Sequence, residues 1–96
     1  MRVVYHPSVQ KDVNAILRRY EGISPKLADE FWNELLLYIA ETAKNPGHSH
    51  PTKLELRRVN LRRFPYHFLF RHVHDSIRIT VVRHNRRHPD YGTRRR

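Results

Sequence analysis

The sequence predicts an α+β fold with the order β-α-α-β-β-β, in which a helical hairpin packs on one face of a small, mainly antiparallel sheet. Two observations predict it. Apolar residues recur at helical spacing through residues 7–43, and they alternate as in strands between residues 54 and 84. No helical pattern follows those strands. We therefore expect the outer face of the sheet, the side away from the helices, to stay open.

The first half of the chain predicts a strand and two helices. Residues 1–6, MRVVYH, are β-branched and aromatic, which is typical of a strand. Pro7 begins the first helix, which ends near Gly22. Ser24 and Pro25 then supply an N-cap and a proline suited to the first helical position, and Asn45-Pro46-Gly47 stops the second helix. The apolar face of the first helix consists of Val9, Val13, Ile16, Leu17 and Tyr20.

The second half predicts an antiparallel meander of three strands, Leu54–Leu61, Tyr66–Val73 and Ile77–His84, after a polar loop. Residues beyond Arg86 contain few apolar side chains and predict an extended tail. We therefore expect one domain over residues 1–91 and a basic C-terminal tail over residues 92–96.

Strand alternation assigns side chains to the two faces of the sheet. The side chains expected to meet the helices are those of Tyr66, Phe68, Phe70, Ile77, Ile79 and Val81. The side chains expected on the outer face are those of His67, Arg71, Arg78, Thr80 and His84.

Positive charge is concentrated in the strands. The net charge is +10; residues 1–53 carry 7 Lys/Arg against 6 Asp/Glu, whereas residues 54–96 carry 12 against 3, and those 12 are all arginine. Arginine favours bidentate contacts to phosphate or carboxylate and stacks on bases. This bias favours a surface that faces a polyanion over one that is simply solvated. Nucleic acid is the first candidate partner and an acidic protein segment the second.

Composition argues against several other classes of protein. Cysteine is absent, so disulfides and thiolate metal sites are excluded, and a reducing cytoplasm is the expected location. The longest apolar run, residues 35–40, is too short to span a bilayer. The histidines of HSH and HVH have no carboxylate or cysteine at ligand spacing. We expect no metal and no cofactor.

The arginines and histidines are compatible with RNA cleavage through the RNA 2′-hydroxyl. That reaction needs a base, a cation beside the phosphorus and an acid for the leaving oxygen. Arginine supplies the cation. His67 and His84 are expected in the arginine-rich face, and His88 or Tyr91 in the tail is a further proton-transfer candidate. A basic tail that lies on the protein without catalysing anything explains the tail residues equally well.

Five segments resemble the RelE/ParE superfamily of bacterial type II toxins, namely VVYHPSVQKDV, ISPKLADEFWNEL, NP, LRRVNLRRFPYHFLFR and ITVVRHNRRHPDY. The resemblance covers about residues 2–91 and implies a β-α-α-β-β-β fold and an acidic antitoxin. It also implies one of two activities. RelE-like members cut mRNA in the ribosome, whereas ParE-like members inhibit DNA gyrase and lack the ribonuclease residues.

The resemblance carries over to the ribonuclease site only in part. Arg57, Arg58 and Arg62 match basic positions of the first meander strand, and Tyr91 matches a C-terminal tyrosine. His67 and Asn85 fall where the ribonucleases have arginine, although Arg86 and Arg87 stand beside Asn85. The site is therefore altered, which leaves messenger cleavage open.

Three candidate sites follow from these residues. The candidate catalytic residues are His67, Arg63, Arg87, Tyr91 and His84. The candidate RNA-binding residues are Arg57, Arg58, Arg62, Arg71, Arg78, Arg83 and Arg86. Trp32 and Leu36 are the expected antitoxin anchors, because three consecutive leucines on a helix cannot all face one core.

Three functions follow as hypotheses. The first is ribosome-dependent mRNA cleavage, with the ribosome and mRNA as partners besides the antitoxin. The second is inhibition of DNA gyrase without ribonuclease activity. The third is an attenuated toxin or nucleic-acid-binding module whose chief partner is its antitoxin.

Overall fold

A computed structural model of the chain describes residues 1–48, 50–51 and 55–96, with residues 50 and 51 as backbone only. The elements follow the predicted order, with one short strand added in the loop after the helices. The helices are α1, Ser8–Glu21, and α2, Pro25–Lys44, followed by a short 3-10 helix, Pro46–His48. The strands are β1, Arg2–Tyr5; β2, His50–Pro51; β3, Arg57–Asn60; β4, Tyr66–Val73; and β5, Ser76–His84.

The described strands form one mixed sheet in the order β1-β5-β4-β3-β2. β1 pairs in parallel with β5, and the other neighbours are antiparallel. The predicted first meander strand is shorter than expected. It begins at Arg57, and Leu54 lies outside the described residues. The short β2 pairs with β3 where the sequence predicted only a loop.

The hairpin packs on the sheet through the predicted apolar faces. The Ser24 hydroxyl accepts a hydrogen bond from the Leu27 amide at 3.3 Å, which caps α2 as expected. Phe31 of α2 and Phe68 and Phe70 of β4 are fully buried in the core between the two layers. Burial of side chains of this size supplies most of the stability of a small domain.

A β-bulge in β5 reverses the predicted face of two residues, Val81 and His84. Leu69 pairs with Val81 and Phe70 with Ile79, so Thr80 is the extra residue of β5. The side chains after the bulge therefore change sides. Val81 lies on the outer face, against the prediction, and Thr80 is fully buried rather than exposed there. His84 lies on the helix side beside Tyr66, with the two ring centroids 5.0 Å apart.

The sequence predicted an extended C-terminal segment, but in the structure this segment is folded into turns. Its backbone forms successive turns, with the amides of Tyr91, Thr93 and Arg95 bonded to carbonyls three residues earlier. The ring of Tyr91 packs against Leu56, Leu69 and Val81 on the outer face. The outer face therefore has a small apolar cluster of its own and is partly covered, which corrects the expectation of an open sheet.

Candidate functional site

Arginines of three neighbouring strands lie on the outer face, as expected for Arg71 and Arg78. Arg58 of β3 pairs with Leu69, and Arg71 of β4 pairs with Arg78 of β5, so these three arginines share a face. All three are half-buried. Arg58 is further positioned by Asn60, whose side-chain oxygen accepts from Arg58 Nε at 2.8 Å.

His67 and Arg83 form the buried centre of this face. They are directly paired across β4 and β5, and Arg83 Nε donates to His67 Nε2 at 2.9 Å. The other ring nitrogen, Nδ1, lies 2.8 Å from the side-chain oxygen of Asn85. Since Nε2 accepts from a guanidinium, the proton of the neutral ring must be on Nδ1, where it is donated to Asn85.

This environment keeps His67 neutral. Burial is the main cause that lowers its pKa to about 4; the positive charges of Arg58 and Arg83 act in the same direction, and the Asn85 hydrogen bond opposes them. The side chain is only 1% exposed. His67 therefore lies on the predicted face but is not the accessible histidine that the sequence suggested, and its substitution carries the cost of a core change.

Arg83 holds the C-terminal segment against the sheet. Its Nη1 donates to the backbone carbonyls of His88, Pro89 and Tyr91, with the shortest distance, 2.7 Å, to Tyr91. Burial lowers the pKa of the Arg83 guanidinium below its ordinary value. The side chain is buried and both Nε and Nη1 donate within the protein, so its geometry is that of a structural clamp.

Asp12 and Arg95 form hydrogen bonds with backbone groups on the part of β5 that β1 does not reach. β1 pairs with β5 only as far as Ile79. Beyond that point Asp12 accepts from the Val82 amide at 3.1 Å, and Arg95 donates to the Thr80 carbonyl at 3.2 Å. The two side chains also pair with each other at 2.6 Å. They satisfy backbone groups that a further strand would otherwise bond.

Tyr91 is part of the same cluster. Its hydroxyl donates to Asp12 at 3.4 Å and accepts from Arg95 at 3.4 Å, and the Arg87 guanidinium lies over its ring at 3.9 Å. Burial alone would lower the pKa of Arg95, but the hydrogen bond and charge of Asp12 raise it above its ordinary value. The Tyr91 hydroxyl and the His67 ring thus have different side-chain partners, although Arg83 bonds both to the His67 ring and to the Tyr91 carbonyl.

The remaining candidates are dispersed. Arg63 pairs with Glu30 of α2 at 2.9 Å, and the adjacent backbone amides of Arg62 and Arg63 donate to Glu34. Arg57 pairs with Phe70 and so lies on the helix side, apart from Arg58. Among the candidate catalytic and RNA-binding arginines, the exposed ones are Arg62, Arg63, Arg86 and Arg87.

An apolar groove of about 530 Å³ lies along the helical hairpin and contains both predicted antitoxin anchors. Trp32 and Leu36 of α2 line it, and they are 41% and 39% exposed. Leu35 is buried beneath them, whereas Leu37 lies outside the groove. The three consecutive leucines therefore do not all face the core, as the sequence predicted.

Sequence reasoning missed Asp12, Arg95 and the hydrogen-bonding role of Asn85. Asp12 did carry a signal, because it lies three residues after Val9 and four before Ile16, within the apolar stripe of α1. A carboxylate within such a stripe faces the core and is buried there. A buried carboxylate needs a cationic partner. Arg95 carried no comparable signal in a sequence with so many arginines.

Neither a metal site nor a membrane-spanning helix is found in the described part of the chain. No cluster of three or more His, Asp or Glu side chains there has the geometry to hold a metal ion. None of the helices there is long and apolar enough to cross a membrane. His50 of the HSH motif has no described side chain.

Comparisons with known proteins agree with this architecture. Residues 3–89 match the family described as the ParE toxin of the type II toxin-antitoxin system, parDE. Among solved structures, a chain of the chromosomal ParDE TA system from P. aeruginosa is similar, with a TM-score of 0.77 and 22% identity. The match covers 88% of this chain and 95% of that one. No curated protein matches the sequence significantly.

Proposed function

Because this chain belongs to the ParE toxin family of type II toxin–antitoxin systems, we propose that it stops bacterial growth by binding its target, and that the target is DNA gyrase. The expected place of action is the cytoplasm, where gyrase works on DNA. The resemblance to ParE-like toxins implies this target, and the state of the residues that resemble a ribonuclease site supports it.

The observation that carries the proposal is the buried, neutral His67. A general base must reach the proton that it removes. Both nitrogens of His67 are hydrogen-bonded within the protein, to Arg83 and to Asn85. Tyr91 is similarly held by Asp12 and Arg95. The two groups best matched to proton transfer are thus built into the fold, which favours binding over catalysis.

Messenger cleavage in the ribosome is the second candidate function. The observation that favours it is the alignment of Arg58, Arg71 and Arg78 on one face of the sheet. An RNA strand lying across these strands would meet a row of guanidinium groups.

Expression of the chain in a bacterial host separates the two functions. Under the proposal, DNA synthesis falls before protein synthesis, and the purified protein inhibits supercoiling by gyrase. His67→Gln and Tyr91→Phe keep the local packing but remove proton transfer by the histidine and by the tyrosine hydroxyl, and both variants should remain toxic. Loss of toxicity in both folded variants, together with early arrest of protein synthesis, would instead establish messenger cleavage.

The partner that we propose for the groove of the helical hairpin is an antitoxin with an acidic segment. The groove is mainly apolar and its charged lining residues are Glu21 and Asp29, so attraction of an acidic segment would come from the net charge of +10 of the whole chain. A disordered acidic segment can fold into such a groove, bury apolar side chains against Trp32 and Leu36, and add long-range attraction. The antitoxin would thereby cover one side of the toxin with a large interface.

Trp32→Ala and Leu37→Ala form a matched pair for this partner. Both residues are exposed on α2, but only Trp32 lines the groove. Trp32→Ala should weaken binding of the cognate antitoxin by at least about tenfold, as for an aromatic hot spot, and Leu37→Ala should have little effect. Equal affinities for the two variants would exclude the groove as the docking site.

A further inference from the structure

A second cavity, apart from the groove, lies where α1, the ends of β4 and β5 and the C-terminal segment meet. Its volume is about 160 Å³, enough for a group of the size of a phosphate. The polar side chains that line it belong to Asp12, Arg19, Tyr66, Arg83, His84 and Arg87 together with Tyr91.

The cavity carries an excess of positive charge. Its carboxylate, Asp12, is already neutralised by Arg95 and accepts from the Val82 amide. Arg19 and Arg87 have no carboxylate partner among the residues that the structure describes. Two exposed guanidinium groups therefore face a cavity whose only acid is satisfied within the fold.

The other polar groups of the cavity are hydrogen-bond donors. The hydroxyl of the buried Tyr66 accepts from Arg19 Nη1 at 3.5 Å, which leaves its own proton to donate. His84 Nδ1 accepts from the Arg86 amide at 3.0 Å, so the proton of the neutral ring is on Nε2. Arg87 stacks on the Tyr91 ring, and stacking leaves the donors in the guanidinium plane available.

We propose that this cavity binds a phosphate group of a nucleic acid strand. Arg19 and Arg87 supply the charged contacts, and Tyr66 and His84 supply further hydrogen-bond donors. A tetrahedral dianion or a phosphodiester accepts from several donors at once, which matches a cavity with two guanidinium groups, a phenol and an imidazole. The proposal goes beyond the proposed function, because binding of phosphate here is independent of whether gyrase or the ribosome is the target.

The chain offers two neighbouring pairs of arginines for the test. Arg19 lines the cavity and Arg18 does not; Arg87 lines it and Arg86 does not. All four are exposed, so each substitution by glutamine removes the same charge without opening the core, and Arg87→Gln also removes the stacking on Tyr91. Binding of a labelled single-stranded DNA oligonucleotide to the full chain is measured by fluorescence anisotropy over a range of salt concentrations.

Arg19→Gln and Arg87→Gln should each weaken binding by about tenfold, as expected when a charge-assisted hydrogen bond is removed. The slope of log affinity against log salt should fall by about 0.7 for each guanidinium that no longer neutralises a phosphate. Arg18→Gln and Arg86→Gln should weaken binding much less. Equal effects within both pairs would overturn the proposal, since they would show attraction by net charge alone.

Inorganic phosphate distinguishes the source of the phosphate. In NMR spectra of the full chain, phosphate should shift the ring signals of His84 and compete with the oligonucleotide, and the oligonucleotide should bind more tightly than phosphate. If free phosphate binds more tightly than the oligonucleotide, then the ligand of the cavity is a small phosphate compound and not a nucleic acid strand. Absence of a His84 shift with both ligands would refute the cavity as a phosphate site.

Discussion

His67 should make the fold sensitive to acid, and the size of the effect follows from its pKa. An ordinary histidine has a pKa of 6.5, whereas that of His67 is about 4 in the folded chain. Because the folded state favours the neutral ring, the contribution to stability is complete above about pH 6.5 and is lost as the pH falls toward 4. At about 1.4 kcal/mol per pKa unit, the full loss is about 3 kcal/mol.

The measurable part of this loss lies between about pH 7 and pH 5. The linkage relation gives about 2 kcal/mol over that range, and we expect a measured loss of about 1–2 kcal/mol. The free energy of unfolding is obtained from urea titrations at the two pH values. The wild-type chain should lose about 1–2 kcal/mol more than His67→Gln, which can donate to Asn85 and accept from Arg83 without titrating.

The control is His72→Gln, which removes an exposed histidine from the same strand. This variant should keep the pH dependence of the wild-type chain. If His67→Gln also keeps it in full, then His67 is not held neutral by the fold. His67 would in that case again be a candidate for proton transfer.

Two further predictions concern the C-terminal segment. Gly92→Ala should destabilise the fold by about 1–3 kcal/mol in urea titrations. The reason is that φ of Gly92 is +78° and the new Cβ would lie 2.7 Å from a methyl carbon of Val81. The control is Gly47→Ala, whose Cβ would have no described neighbouring atom within 4 Å. Arg95→Gln leaves a buried carboxylate without its cation and should cost about 2–4 kcal/mol, whereas Arg96→Gln removes the same charge from an exposed site; equal stabilities of these two variants would contradict the structural role of Arg95.

The helices and the order of the strands could be predicted from sequence because local patterns determine them. Ser24-Pro25 is a cap that acts within one turn, and it places α2 correctly. The alternation of Tyr66, Phe68 and Phe70 predicts the face of β4 for the same reason. These features depend on neighbours a few residues apart, so a single sequence contains them.

The bulge at Thr80 could not be predicted in this way. Strand alternation holds only until a residue is inserted, and nothing local marks the insertion in ITVVRH. The adjacent Val81 and Val82 are nevertheless informative, because two consecutive apolar residues indicate a strand that is buried on both sides. The outer face is covered at that point by Tyr91, which is a contact between residues distant in sequence.

The same long-range contacts change the interpretation of the arginines. Their abundance indicated a polyanion, yet Arg83 bonds to His67 and to the C-terminal carbonyls, and Arg95 bonds to Asp12. A guanidinium donates from separate Nε and Nη1 atoms in a fixed planar geometry, whereas a lysine ammonium carries all three of its donors on one atom. Part of the preference for arginine therefore serves the fold. The arginines that remain for a target include the exposed ones near the ends of α1 and β5, where Arg19 and Arg87 line a cavity of hydrogen-bond donors.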